Sequence, residues 1–206
     1  MVKSENTKSF WDKSATDYDG HMRDTKHYEA QAFLYTSLKS FFVSPIIDLA
    51  CGSGFLSGLF LSDGHSVVLN DFSSVMIELS KLKLENYQKA KFSIQDATNF
   101  NSSTKFKTIV CCNLFFYIQN RPEAIKFWEK YLDTDGAVIL FEEYPFKNPA
   151  YGKMEHHEKE LSTFIDPISP ERIQELFAEN NFELIGKNFV KIDKDHNLYG
   201  FVFKKI

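Results

Sequence analysis

The chain is poor in cysteine: it has three, Cys51, Cys111 and Cys112, and no C-x-x-C pair. That leaves no sequence basis for a zinc ribbon, a dithiol redox centre or a disulfide framework. The three thiols fall at predicted strand ends and read as small buried hydrophobes in a reducing compartment. A basic excess is lacking too, with 24 Lys and Arg against 28 Asp and Glu and an isoelectric point near 5.9. General nucleic-acid binding needs a basic face to meet phosphates and is not expected. No stretch approaches the roughly 18 consecutive apolar residues of a membrane span, and the opening MVKSENTKSF has no apolar run of a signal peptide. There is no internal repeat and no low-complexity tract. The expectation is a soluble cytoplasmic protein, monomer or homodimer, with no membrane contact. Aromatic residues, in contrast, make up 16% of the chain, with 21 Phe, which suits a bulky core or an apolar pocket. A single domain of 206 residues buries roughly two thirds or more of its unfolded surface without covalent staples.

The chain is organised around Ile46 to Gly58, IIDLACGSGFLSG. Two β-branched residues, an acid and a leucine run into Cys51-Gly52-Ser53-Gly54, after which Phe55, Leu56, Leu59 and Phe60 recur at helical spacing. That pattern is strand, tight turn, helix. Gly52 and Gly54 let the backbone adopt conformations closed to other residues and let a ligand approach closely. Such a turn at the carboxyl end of a first parallel strand is a usual place for an adenine-bearing cofactor.

The 45 residues before that turn predict an ordered arm or short helix and then a helix from about Thr25 to Ser40. Downstream, a strand over 65–70 ends in Asp71, and Ser73 or Ser74 caps a helix with an apolar face of Val75, Met76, Leu79 and Leu82. A third strand over 90–95 ends in Asp96, and a fourth, 107–112, runs into Asn113-Leu114-Phe115-Phe116-Tyr117. Pro122 opens a helix reaching about Leu132, Asp135-Gly136 turns, and a fifth strand covers 137–141. Strand and helix alternate, so a parallel sheet covered on both faces is expected. The segment 143–167 lacks a clean period and reads as a loop with a helix near 153–161; its length suggests a functional insertion. Ser169-Pro170 then caps a helix with the face Ile173, Leu176 and Phe177. Two strands over 182–190 and 198–203 are joined by a link too short for a crossover, so they are antiparallel.

These features resemble the class I S-adenosylmethionine-dependent methyltransferases, and specifically their small-molecule branch, across nearly the whole chain. The matched residues are DLACGSG at 48–54, the acid in NDFSSVMIELS at 70–80, the acid in QDATNF at 95–100 and the final antiparallel pair. The resemblance implies an α/β Rossmann-like, doubly wound seven-stranded sheet of order 3-2-1-4-5-7-6, its last strand antiparallel. One domain is expected: a helical arm or lid at 1–44, a cofactor-binding core at 45–142, a substrate-lid insertion at 143–168 and a C-terminal unit at 169–206. It further implies S-adenosylmethionine as cofactor and S-adenosylhomocysteine as product. Gly52, Gly54 and Ala50 would pass beneath the cofactor, and Asp48 would orient their loop. Asp71 would accept the ribose hydroxyls, Asp96 and the Ala97 amide would meet the adenine edge, and Phe72 and Met76 its faces. Asn113 and Leu114 would receive the ammonium group, and Tyr18 would close over the cofactor. Ala50 stands where a glycine is common, a change tolerated if the backbone there is β-like. Taken singly, Asp71 and Asp96 also read as turn acids, and Tyr18 as a residue pinning the arm.

Methyl transfer from a sulfonium asks the protein to align an acceptor, exclude water and supply a base where needed. Glu142, Glu143, Tyr117 and Tyr144 occupy strand ends where open parallel sheets place substrate groups, and with Phe115, Phe116 and Phe146 they suggest a flat or apolar small-molecule acceptor through N, O or S. An RNA or protein acceptor, a non-catalytic cofactor-binding regulator and a nicotinamide-dependent oxidoreductase are the alternatives. No metal is expected: His156 and His157 are adjacent, do not share a helix face and have no third ligand at standard spacing.

Overall fold

The computed structural model describes residues 4–145, 163–194 and 196–206. Phe146, His156, His157 and the helix expected near 153–161 lie outside the described residues. The arm folds as three helices, α1 (Ser4–Ser14), α2 (Tyr18–Asp24) and α3 (His27–Ser37). The core then alternates β1 (Ile46–Leu49), α4 (Phe55–Ser62), β2 (Val67–Asp71), α5 (Ser74–Leu84), β3 (Ala90–Ile94), β4 (Phe106–Cys112), α6 (Arg121–Glu129) and β5 (Leu132–Tyr144). It closes with α7 (Pro170–Glu179), β6 (Phe182–Asp193) and β7 (His196–Lys205). The sheet has the expected order β3-β2-β1-β4-β5-β7-β6, with β7 antiparallel to both its neighbours.

Each strand feeds both faces of the sheet because successive side chains point to opposite sides. Ile47, Leu49, Ile109, Val138 and Leu140 pack with Trp128 of α6 and Phe177 of α7 on one face. Ile46, Leu69, Val110, Ile139 and Phe141 pack with Leu34, Phe60 and Ile77 of α3, α4 and α5 on the other. Near-continuous apolar runs are what a parallel sheet buried on both faces requires. Helix starts follow local chemistry: Ser73 Oγ accepts from Met76 N, and Ser169 Oγ accepts from Arg172 N behind a first-turn proline.

Four expectations need correction. The helix foreseen from Thr25 to Ser40 starts at His27, because Lys26 takes the left-handed φ of 62° and separates α2 from α3. The buried face of α5 is Met76, Ile77, Ser80 and Leu84; Leu82 points outward, 76% exposed, off the i, i+3, i+4, i+7 stripe. α6 stops at Glu129 and Leu132 already pairs with Phe106, so Asp135-Gly136 is an irregularity inside β5, where the register shifts between Phe106 and Thr108. β7 begins at His196, so the final hairpin is tighter and longer-armed than expected. Among the described residues no helix is long and apolar enough to cross a membrane.

Candidate active site

The carboxyl ends of β1 to β5 open into a cavity of about 300 Å³ roofed by α1 and α2. Thirteen residues singled out in the sequence line it: Tyr18, Ala50, Gly52, Asp71, Phe72, Met76, Asp96, Ala97, Asn113, Leu114, Phe116, Tyr117 and Glu143. Asp48, Gly54, Glu142 and Tyr144 do not.

The glycine turn explains part of that division. Gly52 has φ +52°, and a Cβ there would stand 3.3 Å from the Tyr18 hydroxyl, so the missing side chain leaves a cradle beneath the tyrosine. Its N–H donates to Asp71 Oδ2 at 3.0 Å, while Asp71 Oδ1 accepts from Ser73 N at 2.9 Å. Burial nevertheless pushes the Asp71 carboxyl up to about 6. Gly54, at φ +86°, faces away from the cavity: a Cβ would meet Leu84 Cδ1 at 2.8 Å and Ser80 Cβ at 3.0 Å. Its glycine requirement comes from α4–α5 packing. Asp48 also lies behind the turn, accepting from Ser57 Oγ of α4 at 2.6 Å, with burial raising its carboxyl to about 7; it braces β1 to α4 rather than bonding the loop. Ala50 was expected in a β-like conformation, but its φ is +119°, a region that L residues rarely adopt. The turn bends there because both Ala50 N and Cys51 N donate to Asn70 O. Asp96 Oδ1 accepts from Thr98 N and Oγ1 at 2.7 and 2.8 Å, a turn role that coexists with its place in the cavity wall.

The two adjacent acids diverge because alternate residues of a strand face opposite ways. Glu142 is 2% exposed and outside the cavity. Its Oε1 accepts from Leu114 N at 3.0 Å and Phe115 N at 2.6 Å, and burial pushes its carboxyl to about 8 despite them. It is a brace for the β4 exit, not a substrate group. Tyr144 pairs in register with Asn197 of β7 and likewise leaves the cavity wall. Glu143 faces inward, with His27 Nε2 at 2.9 Å from Oε1 and His196 Nε2 at 3.0 Å from Oε2. Asn113 Nδ2 also donates to Oε1. Burial alone would raise this carboxyl, but the hydrogen bonds from His196 and His27 outweigh it and hold it at about 2. For His27, burial works against the charged form, and Glu143 more than offsets it, raising the imidazole above its ordinary value.

Sequence reasoning missed both histidines. His27 carries no local signal, since it opens an ordinary helix. His196 had one: it continues the inward alternation of buried His196, Leu198 and Gly200, a polar residue in an apolar register.

The roof is fastened at two points. Asp12 Oδ1 accepts from Ser73 Oγ at 2.5 Å, tying α1 to the cap of α5. Asp19 of α2 accepts from Ser53 Oγ and Tyr28 Oη and pairs with Lys83. Tyr28 in turn stacks on Phe55, ring centroids 3.9 Å apart. Phe10, Phe116 and Tyr117 form a small apolar cluster with Trp11, Phe164 and Ile165 beside the opening, and Arg121 pairs with Asp166 to dock that last segment.

Residues 46–136 match the family model described as a methyltransferase domain. Among solved structures, magnesium protoporphyrin IX methyltransferase (ChlM) from Synechocystis PCC 6803 with bound SAM is similar at a TM-score of 0.63 and 16% identity, over 91% of this chain and 80% of that one. An S-adenosylmethionine-dependent methyltransferase from Clostridium acetobutylicum ATCC 824 is similar at 0.67 and 17%, over 94% and 98%. The glycopeptide N-methyltransferase MtfA complexed with SAM follows at 0.62 and 13%, over 84% and 86%. No protein of curated function matches the chain in sequence. At these identities the structural likeness establishes the fold. This chain therefore has the class I methyltransferase fold.

Proposed function

We propose that the protein is an S-adenosylmethionine-dependent methyltransferase that acts on a small-molecule N, O or S acceptor by in-line displacement, working in the cytoplasm. The observation that carries this reading is the Gly52 cradle under Tyr18, held by Asp71 at the switch point of the sheet. A cavity of about 300 Å³ is the size of a small-ligand pocket. Asp71 keeps lone pairs for the ribose hydroxyls beyond those that take Gly52 and Ser73. Asp96 and Ala97 would hold the adenine edge, Phe72 and Met76 its faces, and Asn113 and Leu114 the ammonium end, all of them residues that line the cavity. The bound cofactor supplies an activated methyl on a sulfonium. The chain does the rest: the arm excludes water, and Trp11 and Tyr117 offer an apolar wall to a flat acceptor. Glu143, held ionised by its histidines, binds the acceptor's polar group rather than collecting its proton. The three free thiols, all pushed up by burial, suit a reducing compartment.

Single-turnover transfer from methyl-labelled cofactor into a cell extract tests this. Label in a product that survives ribonuclease and protease supports a small acceptor. Label in RNA or protein replaces that acceptor class, and no transfer by a cofactor-binding chain leaves a non-catalytic regulator.

A further inference from the structure

Three segments remote in sequence, the start of α3, the end of β5 and the start of β7, bring His27, Glu143 and His196 to one buried point. Their ligating atoms all lie within 4.8 Å of one another. We propose that they form a binding site for a divalent first-row transition ion of the Zn²⁺, Co²⁺ or Fe²⁺ class, with the ion's remaining positions open to the cavity.

The hydrogen bonds around His27 set up this site. Thr25 Oγ1 donates to His21 O at 2.7 Å, so at its 2.6 Å contact with His27 Nδ1 it accepts. Nδ1 therefore carries a hydrogen, and Nε2, 2.9 Å from the Glu143 carboxylate, is the ring nitrogen left to face an ion. In the metal-free chain a proton on Nε2 bridges that pair, and an ion binds by displacing it. The same Nδ1–H···O arrangement is the usual outer support of a metal-bound histidine. His196 lacks that support: its Nδ1 makes no hydrogen bond and stands 4.0 Å from Asp193 Oδ2. Asn113 fixes the carboxylate, and the two imidazole rings stand 5.8 Å apart at 60°, unstacked and free to share an ion. Ligands at about 2.0–2.2 Å from an ion sit about 3–4 Å from each other, so small side-chain rotations close the set. Two imidazoles and one carboxylate with open positions favour these ions over Mg²⁺ or Ca²⁺, which prefer oxygen. His27 and Glu143 line the cavity, so a water or an acceptor oxygen or nitrogen completes the shell. That last role rests on the methyltransferase reading; the ion site itself does not. There the ion acts as a Lewis acid, polarising the acceptor atom.

The test is titration of the chelator-stripped full chain with Co²⁺, then Zn²⁺, with no methyl donor present. One equivalent of Co²⁺ should bind, with visible absorption bands that Zn²⁺ removes. His27→Gln and His196→Gln should each weaken binding by on the order of a hundredfold, with circular dichroism confirming folded samples; Glu143→Gln, which keeps the shape, serves if a histidine variant unfolds. A folded chain that binds no stoichiometric ion overturns the proposal. Equal affinity in the folded variants overturns it as well, placing the ion at other histidines. S-adenosylhomocysteine is titrated separately, so ion binding without it would contradict the methyl-transfer reading and leave the ion site standing.

Discussion

At the scale of single residues, the molecule carries costs that substitution can expose. Ala50 holds φ +119° with a side chain, which costs about 1–2 kcal/mol. Ala50→Gly should therefore raise the melting temperature by about 2–4 °C, reversing the usual penalty of glycine, and calorimetry would show it. Gly54→Ala should do the opposite, lowering stability by about 1–3 kcal/mol, because its Cβ drives into Leu84 and Ser80. Glu142 makes stability depend on pH. Its carboxyl moves from 4.5 to about 8 in the fold, so the contribution of its neutral form is fully present below about 4.5 and is lost as pH rises through 8. Urea midpoints should fall from pH 5 to 8 in the parent and stay flatter in Glu142→Gln. Glu142→Ala, which also abandons two backbone donors, should lose about 2–3 kcal/mol. Asp71→Asn should weaken S-adenosylmethionine binding about tenfold with the fold retained; unchanged affinity would remove the ribose contact.

At the scale of elements, α1 and α2 are fastened by Asp12 and Asp19 alone among their acids described as reaching the core. Asp19→Ala removes the acceptor shared by Ser53, Tyr28 and Lys83. Amide exchange over 4–24 should then speed up severalfold, with exchange in β1 and β4 unchanged. Elements were legible in the sequence wherever one local rule decided them. The β1–turn–α4 unit follows from IIDLACGSG, and the caps at Ser73 and Ser169 follow from their hydroxyls. Boundaries failed where backbone geometry overrode pattern. Nothing in its side chain marks Lys26 for the left-handed region, and Asp135-Gly136 looks like a turn between elements yet sits within a strand. The site divided along the same line. Most lining residues could be named because they sit at or just after strand ends, whereas Tyr18, on α2, was named from the family resemblance alone. The strand parity that separates Glu142 from Glu143 depended on which face the cavity occupies. His27 and His196 became neighbours only through the closure of β7 against β5.

At the scale of the whole molecule, the parallel sheet converges its strand ends on one cavity and the arm covers it. In the proposed reading the cofactor side draws on β1 to β4, their turns and Tyr18 of the arm, while the acceptor side draws on Glu143 of β5, Tyr117 after β4 and Trp11 of the arm. The central claim is that this cavity takes S-adenosylmethionine. Calorimetric titration of the purified chain with S-adenosylmethionine and, separately, S-adenosylhomocysteine tests it most directly. Micromolar binding of both, at one per chain, is the expected result; binding of neither by a folded sample would contradict the account and leave only the fold.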